Sequence, residues 1–191
     1  MKTEQQIKTL TAERDYILMF MEEVEQTTAF WLWHKYVSRH RQEESKWEGH
    51  FKILLVATFH SSLLSVRKLN DFFTTRGWPD DIKADRFGFK NMVSPLNETD
   101  EKRLDKYLAH MTFPGADLRF QKWNVDDFTR PIYPRAFEFC QHLENSFLDK
   151  KMDEEILKEV ASFKRGLLSH IKRVGAGRQS KSQLTCKPVR I

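Results

Sequence analysis

The stretch "FKILLVATFHSSLLSVRKLNDFF", residues 51–73, contains neither proline nor glycine and is mostly apolar. Coiled as a helix it is apolar on most of its circumference, and a helix of that kind lies at the centre of a bundle. We expect the helix to run from about Lys46 to Thr75, a length of roughly 45 Å. Residues 77–79, Gly-Trp-Pro, follow in the glycine-then-proline order that ends helices. The stretch therefore predicts an all-α fold around one long central helix.

Proline and glycine positions predict where the other helices lie. Five of the six prolines fall between residues 78 and 135, and an interior proline breaks a helix, so long helices belong outside that zone. Residues 78–96 and 114–131 show no sustained period and predict irregular connections. Further helices are predicted from about Glu4 to Glu44, from Asn97 or Thr99 to before Pro114, from Pro131 or Pro134 to Lys150, and from Asp153 to Val174.

These helices predict an all-α, up-and-down helical bundle with two long N-terminal helices and three shorter ones. The first helix could break near "EQTT", residues 25–28. With 191 residues the chain has the size of one ordinary domain. We expect a single helical-bundle domain over residues 1–174 and a flexible basic tail over residues 175–191.

The charge is concentrated at the end of the chain. Six basic residues and no acid lie from Lys172 onward, against a net charge of +5, which leaves −1 on residues 1–171. Such a tail can attract RNA or another anionic surface, or it can simply keep the protein in solution.

Several classes of protein are disfavoured by composition. The longest stretch without a charge, Ile53–Val66, has fourteen residues, whereas a membrane span needs about 20. The first residues lack the apolar run of a secretory signal, and Cys140 and Cys186 are too few for a disulfide framework. We expect a cytoplasmic protein without a membrane contact. The motifs of nucleotide cofactors and tightly bound metals are absent, so we expect neither cofactor nor metal.

Polar residues in the central helix have a structural and a functional interpretation. His60 can be a functional imidazole, or a core histidine that a hydroxyl or carbonyl satisfies. Arg67, Asn70 and Asp71 lie on successive turns, where a structural arginine–aspartate contact is favoured over chemistry because buried polar groups need partners.

Trp31, Trp33 and Tyr36 form an aromatic stripe at helical spacing. These rings can stack on nucleic-acid bases. Core packing or a dimer face is the alternative that the spacing favours.

Arg103 and His110 are a candidate site. Seven residues turn a helix by about 700°, so both side chains share a face roughly 10 Å apart. A histidine can move a proton to or from a ribose hydroxyl, while a guanidinium holds the phosphate and stabilises developing charge. Lys106 would support the phosphate and Asp105 would orient the site. The alternative is a pair of unrelated surface side chains.

An arginine followed five to seven residues later by a histidine occurs twice more. Arg135 and His142 lie among residues with a core pattern, and Arg165 and His170 are five apart, about 140° round a helix. Only the pair on the third helix combines a shared face, a capped helix start and flanking lysines.

The stretch "RLDKYLAHMT", residues 103–112, resembles the motif of the HEPN superfamily, an arginine and a histidine separated by four to six residues on a helix. The preceding "LLSVRKLNDFF" resembles the helix before that motif in abortive-infection relatives, so the resemblance covers about residues 46–113. It implies a four-helix core, a symmetric homodimer that joins two Arg/His pairs in one cleft, and metal-independent RNA cleavage that leaves a cyclic phosphate. It also implies a setting in prokaryotic defence or a toxin–antitoxin pair, with an antitoxin or regulatory protein as partner.

One position departs from the family pattern. A polar residue usually follows the arginine, whereas here that position is Leu104 and the polar Asp105 comes one place later. The leading hypothesis is therefore a HEPN-like ribonuclease or an inactive derivative of one. The alternative is a non-catalytic helical interaction module that binds a protein or nucleic acid through the aromatic stripe and the basic tail.

Overall fold

Two long antiparallel helices form the frame of the fold. The computed structural model of the chain describes residues 4–40, 48–76, 80–109, 124–147 and 154–179. Helix α1 spans Glu4–His40 and helix α2 spans Glu48–Phe72. The rings of Phe20 and Phe72 are 4.9 Å apart, while at the opposite end the rings of His34 and Phe59 are 5.6 Å apart. Because early residues of α1 meet late residues of α2, the two helices run in opposite directions.

Helix α1 is continuous through residues 25–28, where a break was the alternative. The hydroxyls of Thr27 and Thr28 donate to the carbonyl oxygens of Glu23 and Val24, each at 2.9 Å. A threonine that bonds back to the preceding turn satisfies its own hydroxyl without interrupting the backbone ladder.

The remaining helices complete the bundle. They are a 3-10 turn over Ala84–Phe87, α3 over Glu98–Ala109, α4 over Val125–Thr129, α5 over Ile132–His142 and α6 over Glu154–Gln179. A π-helical turn, Leu143–Phe147, follows α5 directly. Within the ranges that the structure describes there is no strand. The prediction of an all-α helical bundle is confirmed.

The start of α3 agrees with the local sequence signals, whereas the end of α6 does not. Helix α3 begins after Asn97, whose side-chain oxygen accepts from the backbone N–H of Asp100 at 2.9 Å, as expected of an N-cap asparagine. Helix α6 continues to Gln179 rather than ending at Val174. It passes through Gly175 and Gly177, and a glycine weakens a helix by only about 1 kcal/mol.

Helix α4 was not predicted, because it falls inside the segment expected to be irregular. Asn124 precedes it, and its side-chain oxygen accepts from the backbone N–H of Asp126 at 3.2 Å. Asp126 and Asp127 then occupy the first turn, where acidic residues stabilise a helix. This capping signal could have revealed the helix from the sequence.

Phenylalanine rings form the centre of the core. The ring of Phe139 on α5 lies within 4.9 to 6.1 Å of five other phenylalanine rings, mostly edge to face. They belong to Phe20, Phe72, Phe73, Phe87 and Phe89. Edge-to-face pairs add to the stabilisation from buried area, so this cluster fastens α5 and the 3-10 turn to the α1–α2 pair.

A left-handed glycine ends the 3-10 turn. Gly88 has a φ of 77°, a backbone conformation that residues with a Cβ rarely adopt, and its N–H donates to Asp85 O at 2.8 Å. The ring nitrogen Nε2 of His142 lies 2.9 Å from Phe87 O and ties α5 to this turn.

No helix in the described ranges is both long and apolar enough to cross a membrane.

Candidate functional site

Arg103 is fixed on the surface of α3. Its Nη1 lies 2.9 Å from Asp100 Oδ1, one turn earlier on the same helix. The guanidinium carbon lies 5.5 Å from the centre of the Phe128 ring, a cation–π contact. Asp100 is itself held by Asn97, whose side-chain nitrogen donates to Asp100 Oδ2 at 2.6 Å. The Arg103 side chain keeps 31% of its surface exposed, so the guanidinium is oriented yet reachable from solvent.

Of the three residues that follow Arg103, the first lies in the core and the next two lie on the surface. Leu104 is 1% exposed and belongs to the hydrophobic core, so in this chain the position after the arginine needs an apolar residue. Asp105 and Lys106 are exposed, and Asp105 Oδ1 lies 3.8 Å from Nε of Arg67 on α2. The departure from the family pattern at Leu104 thus has a packing reason, and Asp105 is the first polar residue that can reach the surface.

A buried polar network anchors α3 to α2. Glu101 is 6% exposed, and its Oε1 accepts from the side-chain nitrogen of Asn70 at 3.0 Å and pairs with Arg76 Nη1 at 2.8 Å. The Ser94 hydroxyl donates to Asn70 Oδ1 at 2.7 Å. Asn70 therefore finds its partners in the next two segments of the chain, and no local pattern in the sequence predicts its contact with Glu101.

The predicted arginine–aspartate contact within α2 is present. Arg67 Nε lies 3.8 Å from Asp71 Oδ2. Burial raises the pKa of Asp71, although the charge of Arg67 acts in the opposite direction. His60 is half-buried on the same helix, and burial lowers the pKa of its imidazole.

His110 lies outside the described residues, because the description of α3 ends at Ala109. The structure confirms the helix and the surface position of Arg103. The pairing of Arg103 with His110 stays a prediction.

In each of the two other Arg/His pairs, the arginine and the histidine have different surroundings. Arg135 pairs with Glu138 at 3.1 Å, whereas His142 contacts the carbonyl of Phe87. Arg165 is exposed, whereas His170 is buried. Neither pair brings a guanidinium and an imidazole onto one accessible face.

A second polar cluster lies between α1 and α4. Asp126 accepts from Trp31 Nε1 at 2.6 Å, from Lys35 Nζ at 2.9 Å and from Arg130 Nη2 at 3.0 Å. Burial acts to raise the pKa of Asp126, but the hydrogen bonds from Lys35 and Trp31 and the charges of Lys35 and Arg130 together lower it. The cluster links α1 to α4, and no pattern in the sequence predicts it.

The aromatic stripe on α1 divides in the structure. Trp31 is half-buried and donates to Asp126, whereas Trp33 and Tyr36 are more than half exposed. The rings of Trp33 and Tyr36 meet edge to face at 5.9 Å. Core packing therefore accounts for one member of the stripe, and the other two form part of the surface.

Tyr133 and His170 lie beside the Asp126 cluster. The His170 ring meets Tyr133 at 4.6 Å and Trp31 at 5.2 Å, both edge to face. Burial raises the pKa of Tyr133 to about 12, partly opposed by the hydroxyls of Thr28 and Thr129. These hydroxyls are near the phenol, but neither makes a hydrogen bond of ordinary geometry with it.

The described residues offer neither a metal cluster nor a reactive thiol. No group of three or more histidine, cysteine, aspartate or glutamate side chains in those ranges is placed to hold a metal ion. Cys140 is fully buried, and burial raises the pKa of its thiol to about 12. A thiol of that kind is not a nucleophile near neutral pH.

Comparison of the chain with protein-family models, with curated proteins and with solved structures found no match.

Proposed function

We propose that the chain is a HEPN-like, metal-independent ribonuclease, or an inactive derivative of one, with α3 as its phosphate-binding element. Arg103 clamps the phosphate and His110 serves as general acid or base. Lys106 adds positive charge and Asp105 orients the site. The proposed setting is cytoplasmic prokaryotic defence or a toxin–antitoxin pair, in which the protein acts as a homodimer restrained by an antitoxin or regulatory protein.

The observation that carries the proposal is the fixed, partly exposed guanidinium of Arg103. Asp100 and the Phe128 ring hold it from two sides. A guanidinium that is oriented before the ligand arrives loses less conformational freedom on binding, and its planar shape matches a phosphate. Arg103 therefore has the geometry that a phosphate clamp requires.

The charges along α3 favour phosphate binding after its first turn. Glu98, Asp100 and Glu101 occupy the first turn, whereas the basic residues Lys102, Arg103 and Lys106 follow it, with Asp105 among them. Glu98 is also paired with Lys102 at 2.6 Å. A phosphate would be repelled by the first turn and attracted to the basic residues after it, which lead toward His110 in the sequence.

Cleavage of a labelled single-stranded RNA in the presence of EDTA tests the proposal. Arg103→Ala should slow cleavage by about 10² to 10³, the range observed when one donor to a developing charge is removed. Arg165→Ala is the matched control, since Arg165 is an exposed arginine on α6, and it should leave the rate unchanged. Equal rates for the two variants would contradict the assignment of Arg103.

A second candidate function is a non-catalytic interaction module. Leu32, Trp33 and Tyr36 on α1 and Ile53, Leu54 and Val56 on α2 are all about half exposed or more. Leu32, Trp33 and Tyr36 also line one cavity, and an exposed apolar cluster of that kind favours a binding site. Its test is a salt-sensitive association that is lost when residues 180–191 are deleted, a change that leaves α6 whole, and that His110→Ala does not affect.

A further inference from the structure

A groove of about 690 Å³ runs between α1 and α6. On the α1 side, five of the lining residues recur at alternating intervals of three and four. They are Leu18, Met21, Glu25, Thr28 and Leu32. This spacing averages 3.5 residues, so the five side chains form one straight seam along roughly 21 Å of helix.

The α6 side of the groove has the same periodicity. Five of its lining residues follow one another at alternating intervals of four and three. They are Glu159, Phe163, Gly166, His170 and Arg173. Two helices that present seams of equal length to a common groove provide the holes into which the side chains of a third helix pack. A groove that extends along roughly 21 Å of helix favours a helical occupant over a compact small molecule.

Carboxylates dominate the charge of the groove. Among the described residues that line it, Glu22, Glu25 and Glu159 are acidic and only Arg173 is a guanidinium. The surplus of negative charge is local, because the whole chain carries +5. An occupant with lysine or arginine beside an apolar stripe would match both the carboxylates and the apolar residues of the groove.

The groove contains open space and a buried polar atom without a partner. No heavy atom lies within 4 Å of where a Cβ on Gly166 would stand, so this position leaves a gap in the α6 wall. His170 is 5% exposed, and its Nε2 makes no hydrogen bond within the part of the chain that the structure describes. Such an atom is costly to leave unsatisfied, and a polar side chain of an occupant could satisfy it.

The groove continues into the exposed aromatic surface of α1. Leu32 lines both the groove and a second cavity of about 300 Å³ that Trp33 and Tyr36 complete. An occupant longer than the groove would therefore cover these exposed rings as well.

We propose that the α1–α6 groove is the docking site for an amphipathic helix of a partner protein, one that carries basic residues on both sides of an apolar stripe. The apolar stripe packs between Leu18, Leu32 and Phe163, and the basic residues pair with the groove carboxylates. The proposal is independent of the α3 site.

A synthetic helical peptide tests this docking site. The probe is a fluorescent peptide of about 18 residues, long enough to match the groove, with leucine at 3.5-residue spacing and lysine on both flanks. The full-length protein should bind it with a dissociation constant below about 1 mM. A peptide of the same composition, with its leucines distributed evenly round the helix, should bind at least about tenfold more weakly. Lack of saturable binding, or equal binding of the two peptides, would overturn the proposal.

Two pairs of variants locate the binding. Gly166→Leu fills the gap in the wall and should weaken binding by at least about tenfold, whereas Ser169→Leu, on an exposed position of the same helix outside the groove, should not. Glu25→Lys should weaken binding, whereas Asp15→Lys makes the same charge change on an exposed position of α1 outside the groove and should have a smaller effect. Equal effects within either pair would contradict the site.

Sedimentation of the free protein distinguishes a partner protein from a second copy of this chain as the occupant of the groove. If the wild type forms a dimer that Gly166→Leu dissociates and Ser169→Leu does not, a second copy fills the groove and the proposal of a different partner is wrong. A wild type whose sedimentation is the same as that of Gly166→Leu supports it.

Discussion

Arg103 Nη1 lies 2.9 Å from Asp100 Oδ1, and Asp100 is held in turn by the Asn97 cap of α3. The N-cap that starts the helix therefore also fixes the direction of the candidate phosphate clamp. Asp100 both orients the guanidinium and competes with a phosphate for it, because a carboxylate and a phosphate oxygen are similar acceptors.

Asp100→Asn should strengthen RNA binding. The amide keeps an oxygen near Arg103 but removes the negative charge, so a non-cleavable RNA should bind several-fold more tightly at low salt, a change of about 1 kcal/mol. Fluorescence anisotropy measures the effect. The gain in RNA affinity should vanish in the Arg103→Ala background. Glu98→Gln, which removes an exposed carboxylate from the same turn, should give a smaller gain in affinity. Weaker binding by Asp100→Asn would show that orientation outweighs charge.

Glu101→Ala should destabilise the bundle by about 2 to 3 kcal/mol, because it leaves the buried amide of Asn70 without its acceptor. Glu101→Gln keeps an acceptor and should lose less stability than Glu101→Ala. Urea denaturation measures the free energy of unfolding for both variants. Glu98→Gln, an exposed carboxylate on the same helix, should change it by less than about 0.5 kcal/mol. An equal loss for Glu101→Ala and Glu98→Gln would mean that the buried network does not hold α3.

Asp126→Ala should also destabilise the fold, by about 1 to 3 kcal/mol, since the indole N–H of Trp31 loses its acceptor. Asp127→Ala, its exposed neighbour, is the matched control and should lose much less. The pKa of Asp126 is lowered in the fold, so its charge contributes stability above the ordinary pKa of 3.8 that is lost as the pH falls through the folded value. The acid limb of the stability profile should therefore be shallower in Asp126→Asn than in wild type. Acid limbs of equal steepness would contradict this role.

Histidine burial predicts a second pH dependence. Burial lowers the pKa of His170, and the charge of Arg173 lowers it further; burial also lowers the pKa of His34 and His60. The unfolded chain then binds more protons below pH 6.5, so stability should be full above that pH and fall as the pH decreases. Urea midpoints at pH 8 and pH 5.5 measure the loss, which His170→Leu should reduce. A midpoint difference as large in His170→Leu as in wild type would exclude His170 as a contributor.

The helical architecture was predictable because its signals are local. Apolar spacing identified the long helices, and the start of α3 was predicted at Asn97 or Thr99, of which Asn97 makes the capping hydrogen bond. Leu104 shows the limit of a motif, since its place in the core follows from helix periodicity and not from the family pattern.

The contacts that position the site were not predictable from local patterns. Asn70 meets Glu101 across 31 residues, and Trp31 meets Asp126 across 95. Such partners are chosen by how helices pack, and a single sequence holds no periodic signal for them. The exposed position of Arg103 follows from α3, whereas its contact with Phe128 depends on the packing of α4.

The central claim is that Arg103 and His110 act together on an RNA phosphate, and the rate of RNA cleavage by His110→Ala tests it most directly. A 5′-labelled RNA is incubated in EDTA with wild type and variant, and the products are resolved with their terminal phosphates. The account predicts that wild type leaves 2′,3′-cyclic phosphate ends and that His110→Ala is slower by about 10² to 10⁴, with unchanged helicity. Equal cleavage by the two proteins, or a wild type that cleaves no RNA, would contradict an active site on α3.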